Sequence, residues 1–437
     1  MNKAKKQIRN WTALRKKQAA LRRAYAATEQ ANDALWKTSS NQRSFNFISF
    51  VVCMAFVVYF VQYEQPGVNS LSGVFNAEEE DEIVTSETFT NSCRPRENIV
   101  FLKTHKCASS SIQNIFTRYG YRNGLTFVLP AKGSYIGHPE PFNWSMVPNA
   151  RKFGLRYNIL THHCRFSYDE MKRNFPNDVV FVTIVRQPVE LYESLFSFYS
   201  LHRFYKERFD TLGKHQKPPE AYEKRMGGKI GFNQMLFDLG MDSKAFSNST
   251  AVHEYVEYLD SVFDLVMVRE RMEESLVLLR ELLCWSIDDV IVFHLNARNK
   301  RYKRKMNPEL LQRLLKFNSA DMILYKYFVR RLEQRIQEYG SEKMSVAVEE
   351  LKNRTSMWYN ICVQKQDFQS RVINSKRYYT NRMVMAYVKK NQNETCDDLT
   401  TQEPVFTEKL LRKQRFMYPK PKTYRSRYKY RVRQWRK

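Results

Sequence analysis

The chain has 437 residues, 43% hydrophobic and 14% aromatic, a globular composition that excludes a disordered chain and leaves room for one large domain or two small ones. Its charge is lopsided, 72 Lys+Arg against 45 Asp+Glu for a net +27, which points to a polyanionic partner, a membrane surface or an anionic substrate.

Residues 1–44 carry eleven Lys/Arg and two acids. Then comes Phe45–Val61, FNFISFVVCMAFVVYFV, with no charge. It is about the minimum length for a bilayer span, and Tyr59 and Tyr63 sit near one end as interface anchors. A buried core helix is the other reading, but the run stands between a basic tail and the acidic stretch Gln65–Glu82. We therefore expect an uncleaved signal-anchor over 45–62, a cytosolic basic tail over 1–44 and a luminal stem over 63–96. The sequons at Asn143, Asn248, Asn353 and Asn393 all lie beyond the span, as glycosylation in the lumen requires. Six cysteines beyond the span (Cys93, Cys107, Cys164, Cys284, Cys362, Cys396) permit disulfides, with the pairing open. No CxxC pair supports a zinc site.

From Asn98 onward strand and helix patterns alternate. The strands expected are 98–104, 155–161, 178–185, 263–268 and 289–293; the helices are 109–119, 188–199, 272–283 and a long amphipathic one over 308–340. DVVFVTIV (178–185) is nearly all β-branched, as in a strand buried on both faces. Alternation of this kind predicts an α/β fold with a parallel sheet flanked by helices. The chain ends in Arg412–Lys437, with twelve Lys/Arg and no acid.

Three segments carry chemistry. FLKTHKCASSSI (101–112) is a strand, a loop and a helix start. A helix N-terminus offers unpaired N–H groups and a positive dipole end, and small residues let a phosphate or sulfate approach. The competing reading is a serine-capped helix and nothing more. GxxxxGK[ST] is absent, so nucleotide hydrolysis loses its main support. In VRQPVELYESLFSFY, Arg186 ends a strand and Ser194 lies on the helix opened by Pro188. An Arg at a strand's carboxyl end projects into the crevice where open α/β sheets bind ligands. Two such sites on one sheet describe a ligand with two separated anionic groups. In YNILTHHCRF, His162 and His163 end a third strand and offer a general base, as does His105 in the first loop.

LKTHKCASSSI resembles the 5′-phosphosulfate loop of Golgi sulfotransferases, and VRQPVELYESLFSFY resembles their 3′-phosphate segment. THHCRF, GFNQMLFDLG (231–240), FDLVMVRERMEESLVLLRELLCW (263–285) and HLNARNKRY (294–302) are similar to further blocks of the galactose-3-O-sulfotransferases. The resemblance covers roughly 97–340 and implies a P-loop-like sulfotransferase fold, with a catalytic domain over 97–345, its C-terminal extension over 346–411 and a basic tail over 412–437. It implies 3′-phosphoadenylyl sulfate as donor, held by Lys103, Thr104, Lys106, Cys107, Ala108, Ser109, Ser110 and Ser111 at one end and by Arg186 and Ser194 at the other. Lys106 would stabilise the leaving group, and His105, His163 or His162 would be the base. Cys107 stands where relatives usually carry threonine. No metal is implied. The acceptor would be the 3-hydroxyl of a terminal galactose on a galactosylceramide-like glycolipid or a glycoprotein, at the Golgi membrane in single-pass type II topology. A homodimer is left open. The rivals are a sulfotransferase for another glycan, such as a glycosaminoglycan, and a membrane-anchored glycan-binding protein. Nucleic acid is not expected as a partner of a luminal chain, despite the tail YRSRYKYRVRQWRK.

Overall fold

The computed structural model describes residues 93–131, 133–147, 156–214, 219–373, 378 and 380–417. The expected cytosolic tail, the span at 45–62, the stem up to residue 92 and the tail from residue 418 lie outside them. No helix among the described residues is long and apolar enough to cross a membrane.

Five short strands form one parallel sheet: β1 Ile99–Leu102, β2 Phe127–Val128, β3 Ile159–Leu160, β4 Val180–Val185 and β5 Leu265–Val268, in the order β2-β3-β1-β4-β5. Ile99 faces Ile159 on one side and Val180 on the other. Every residue of these strands is buried. That explains their Val/Ile/Phe content: a parallel sheet covered on both faces has no polar side to its strands.

Helices cover the sheet in chain order: α1 Ser109–Arg122, α2 Pro188–Phe198, α3 Gln234–Asp238, α4 Ser249–Val262 and α5 Met272–Leu283. α2 starts on a proline, and the Gln187 side chain accepts from the Glu190 N–H. α6 Pro308–Phe317, α7 Ser319–Tyr339 and α8 Ser341–Cys362 follow. α5 and α7 pack on β5, and α4 packs on α7. The long helix expected over 308–340 is thus two helices broken at Asn318, whose side chain instead accepts from the Asn233 N–H. Gly340, at φ 97°, ends α7. α8 runs straight through residue 345, where the sequence suggests a boundary.

The strand expected at 289–293 is not formed. Ile287–Val290 is a helical turn closed by a capping box between Ser286 and Asp289. Beyond α8 the chain makes an antiparallel pair, β6 Val363–Phe368 and β7 Met385–Lys389, then α9 Glu394–Thr400 and α10 Glu403–Met417. Ile291, Phe293, Leu295, Cys362, Tyr387 and Leu399 gather there in a second, smaller core. Disulfides join Cys93 to Cys284 and Cys362 to Cys396, while Cys107 and Cys164 are free and buried.

Strand order reverses between β1 and β4: β2 and β3 lie to one side of that pair and β5 to the other. Loops leaving the carboxyl ends of such a pair diverge and open a crevice.

Candidate active site

The crevice is a cleft of about 1180 Å³, lined from the β1–α1 loop, the β4–α2 segment, the stretch 294–303 and the C-terminal β6, β7 and α10. It is larger than most single-ligand pockets.

In the β1–α1 loop, Lys106 and Ala108 both sit in the left-handed region, at φ 57° and 63°. Each such non-glycine residue costs about 1–2 kcal/mol, so the turn must be held from outside. Thr104 Oγ1 donates to the Ile184 carbonyl at 2.6 Å, and Ser109 Oγ donates to the Thr104 carbonyl at 2.6 Å. Ser111 Oγ accepts from the Leu295 N–H at 3.0 Å. Ser110 Oγ lies 3.4 Å from Glu403. Cys107 is fully buried in the main core, and burial pushes its thiol far up. Thus the Thr104, Ser109 and Ser111 hydroxyls and Cys107 serve the protein's own packing, while Ser110 lines the cleft beside Glu403. What remains for an anion is the start of α1, which has no side-chain cap and no acid in its first turn.

The two lysines divide. Lys103 is buried; its ammonium pairs with Glu403 and donates to Gln113 Oε1 at 2.7 Å. It does not line the cleft. Lys106 does, with its ammonium 3.8 Å over the Phe198 ring. Burial, with Arg186, Arg298 and Lys103 close by, pushes Lys106 down to about 7. Such crowding of cations is what binding of a polyanion relieves.

Arg186 reaches across the crevice: Nη1 donates to the Lys106 carbonyl at 2.8 Å. Its Nε is buried with no partner. Ser194 is buried at the cleft wall and makes no hydrogen bond among the described residues. Sequence reasoning passed over Arg298, although HLNARNKRY contains it. Arg298 lines the cleft, pairs with the fully buried Glu193 next to Ser194, and leaves Nη1 buried without a partner. Buried donors without acceptors cost about 1–3 kcal/mol each, so both arginines are set for an anionic ligand. These donors, with Lys106 and the open end of α1, fit a ligand anionic at both ends.

The three histidines also divide. His162 does not line the cleft; its Nε2 meets Thr407 Oγ1 at 2.9 Å, and burial holds it down at about 4. His163 lines the cleft; its Nδ1 donates to the Lys103 carbonyl at 2.9 Å, which leaves Nε2 as the free lone pair. Burial, then His105 and Lys103, hold its imidazole well below the ordinary range. His105 lines the cleft as well and stacks on His163, ring centroids 4.2 Å apart. Its Nδ1 lies 2.8 and 2.9 Å from the two oxygens of Asp238, and its Nε2 is 3.1 Å from the Tyr135 hydroxyl. A carboxylate only accepts, so Nδ1 carries the proton in that contact.

His105, His138 and Asp238 bring three ligand-type atoms within 4.8 Å of one another. The Asp238 oxygens already accept from the His105 N–H and ring and from Gln234 Nε2 at 2.8 Å, so its carboxylate is satisfied within the protein, while His138 Nδ1 is buried without a partner. The four sequon asparagines are exposed. Asn143, Asn248 and Asn393 cap short or regular helices through Oδ1, which a glycan on Nδ2 would leave free. Asn353 lies within α8.

The sequence matches the family model described as galactose-3-O-sulfotransferase over residues 37–414. Human galactosylceramide sulfotransferase is 34% identical over 290 residues, 65% of this chain and 68% of that one. Human galactose-3-O-sulfotransferase 4 is 29% identical over 410 residues, 74% of this chain and 84% of that one, and human galactose-3-O-sulfotransferase 2 is 32% identical over 275 residues, 62% and 69%. Among solved structures, a sulfotransferase from Alicyclobacillus acidocaldarius superposes with a TM-score of only 0.31 at 14% identity, over 54% of this chain and 96% of that one. With the family model spanning the sheet, the cleft and all three histidines, the chain belongs to the galactose-3-O-sulfotransferase family of carbohydrate sulfotransferases.

Proposed function

We propose that this chain moves the sulfuryl group of 3′-phosphoadenylyl sulfate to the 3-hydroxyl of a terminal galactose, on a galactosylceramide-like glycolipid or a glycoprotein glycan. The observation that carries this reading is one cleft with two cationic ends, joined by the Arg186 bond to the Lys106 carbonyl. The open N-terminus of α1 and Lys106 would hold the phosphosulfate; Arg186, Ser194 and Arg298 would hold the 3′-phosphate. The donor supplies an activated sulfur–oxygen bond.

The remaining work falls to the protein's own groups. His105 takes the proton of the acceptor hydroxyl at Nε2 while the acceptor oxygen bonds to sulfur. Lys106 neutralises the electron pair left on the phosphate oxygen as the old bond breaks. A carboxylate, Asp238, meets the ring of His105, whereas His162 meets a hydroxyl and His163 a carbonyl, so His105 is the base we assign among the three. Lys103 and Thr104 shape the loop from behind.

The uncharged run expected to anchor the chain at 45–62, the basic stretch before it and the exposed sequons support a type II Golgi protein with the catalytic part in the lumen. Two disulfides suit that oxidising compartment.

The test uses labelled donor and a panel of β-galactosides, with linkage analysis of the product. Wild type should sulfate O3 of galactose, and Lys106→Ala should lose about 10²–10³-fold in kcat, the usual cost of one preorganised charge-stabilising donor. Normal turnover in that variant sinks the mechanism. Transfer to a glycosaminoglycan with none to galactosides overturns the acceptor.

A further inference from the structure

We propose that Asp238, at the end of α3, is the positioning residue that makes His105 the base, an inference that rests on the reading above. Asp238 is 1% exposed. Its carboxylate grips His105 twice, accepting from the main-chain N–H at 2.7 Å and from ring Nδ1 at 2.8–2.9 Å. One side chain therefore fixes both the loop and the ring. With Nδ1–H held inward, the Nε2 lone pair points toward the cleft wall, where the Tyr135 hydroxyl now meets it.

A buried carboxylate is costly unless paired. No Lys or Arg bonds to the Asp238 side chain among the described residues; its partners are His105, Gln234 Nε2 at 2.8 Å and His138 Nε2 at 3.4 Å. Burial alone would raise its carboxyl, but the two histidines reverse this and hold it well below the carboxylate range. A full negative charge is thus stored beside an imidazole. It stabilises the imidazolium that forms when His105 accepts the sugar proton, and the proton stays on His105.

The other groups facing His105 cannot do this. His163 stacks on it, His138 meets its edge, and Tyr135 and Tyr199 stand across from it. Burial raises both tyrosines, so they stay neutral. His163 leans on a carbonyl and has no such counter-charge.

The test is Asp238→Asn in the full-length, disulfide-bonded chain. We measure kcat across pH and the affinity for adenosine 3′,5′-bisphosphate. Expected are a kcat loss of about 10²–10⁴-fold, an unchanged bisphosphate affinity, and an acid limb of the pH–rate profile moved to lower pH because the imidazolium has lost its counter-charge. A kcat within a few-fold of wild type overturns the proposal. So does an equal loss at every pH together with lost bisphosphate binding, since that marks a purely structural role. Should Asp238→Asn fail to fold, Asp238→Glu decides: a reduced kcat with the acid limb at its wild-type pH supports positioning, and full activity overturns it. His105→Ala separates the two ideas. If it turns over normally, the base assignment falls; if it is dead while Asp238→Asn is normal, only Asp238 loses its role.

Discussion

The two segments of the cleft that we propose hold the donor's anionic ends are built in opposite ways. In the β1–α1 loop nearly every polar side chain is spent: Thr104 on Ile184, Ser109 on Thr104, Ser111 on Leu295, Lys103 on Glu403. That loop offers an anion its backbone and Lys106. In the β4–α2 segment donors are left over: Arg186 bonds the Lys106 carbonyl through Nη1 and pairs with Glu190 through Nη2 but keeps Nε without a partner, and Ser194 makes no hydrogen bond among the described residues. The difference teaches that a serine in a phosphate-style loop need not touch the phosphate. The loop needs its hydroxyls to hold two left-handed residues in place.

The contrast is open to attack at several points. Arg186→Ala should weaken binding of adenosine 3′,5′-bisphosphate about 10–100-fold by calorimetry, the worth of one or two hydrogen bonds to a charged group. A loss smaller than threefold would place the 3′-phosphate elsewhere.

A second expectation concerns pH. Lys106 is pushed down to about 7 in the free protein, so it is charged below that pH and neutral above it. A bound anion favours the charged form. Donor affinity should therefore be highest below pH 7 and fall by up to tenfold per unit as pH rises through 7, with about one proton taken up per ligand bound. Lys106→Met should flatten that slope; an unchanged slope would assign the proton to another group.

Paired serines give the sharpest contrast. Ser194→Ala should weaken bisphosphate binding about three- to tenfold and leave stability alone. Ser109→Ala should do the reverse, costing about 1 kcal/mol in denaturant unfolding with affinity nearly unchanged, since its hydroxyl only braces the Thr104 carbonyl. If both serines affect binding equally, the two segments are not different in kind.

The smallest effect belongs to Cys107. Its side chain lies in the core with Sγ 3.4 Å from the His105 carbonyl. Cys107→Ala should change kcat less than twofold, and thiol reagents should leave Cys107 of the folded wild type unmodified, because the buried thiol is raised and protonated. Its departure from threonine thus bears on packing more than on the donor.

Much of this was legible in the chain itself. β-branched runs marked the buried parallel strands, and Pro188 marked the start of α2. His162-His163 after a strand marked both as candidate bases; only the fold decided that His163 lines the cleft and His162 does not. The short strand at 289–293 was misread because Ile291 and Phe293 are apolar for the second core, not for the sheet. The hairpin of β6 and β7 went unseen, since VQKQDF is polar and mostly exposed on one edge. Asp238 and Arg298 lay within quoted segments without a role.

What local pattern settles is the repertoire: a strand, a tight loop, an uncapped helix, an arginine at a strand end. Those depend on residues within a turn or two of each other. Which lysine faces the ligand, which histidine is held by a carboxylate, and that Glu403 neutralises Lys103 from 300 positions away depend on contacts that chain distance does not encode. Charges and hydrogen bonds act over a few ångströms of space, so only the folded chain, by bringing Asp238 to His105, decides which polar groups are spent and which are left for chemistry.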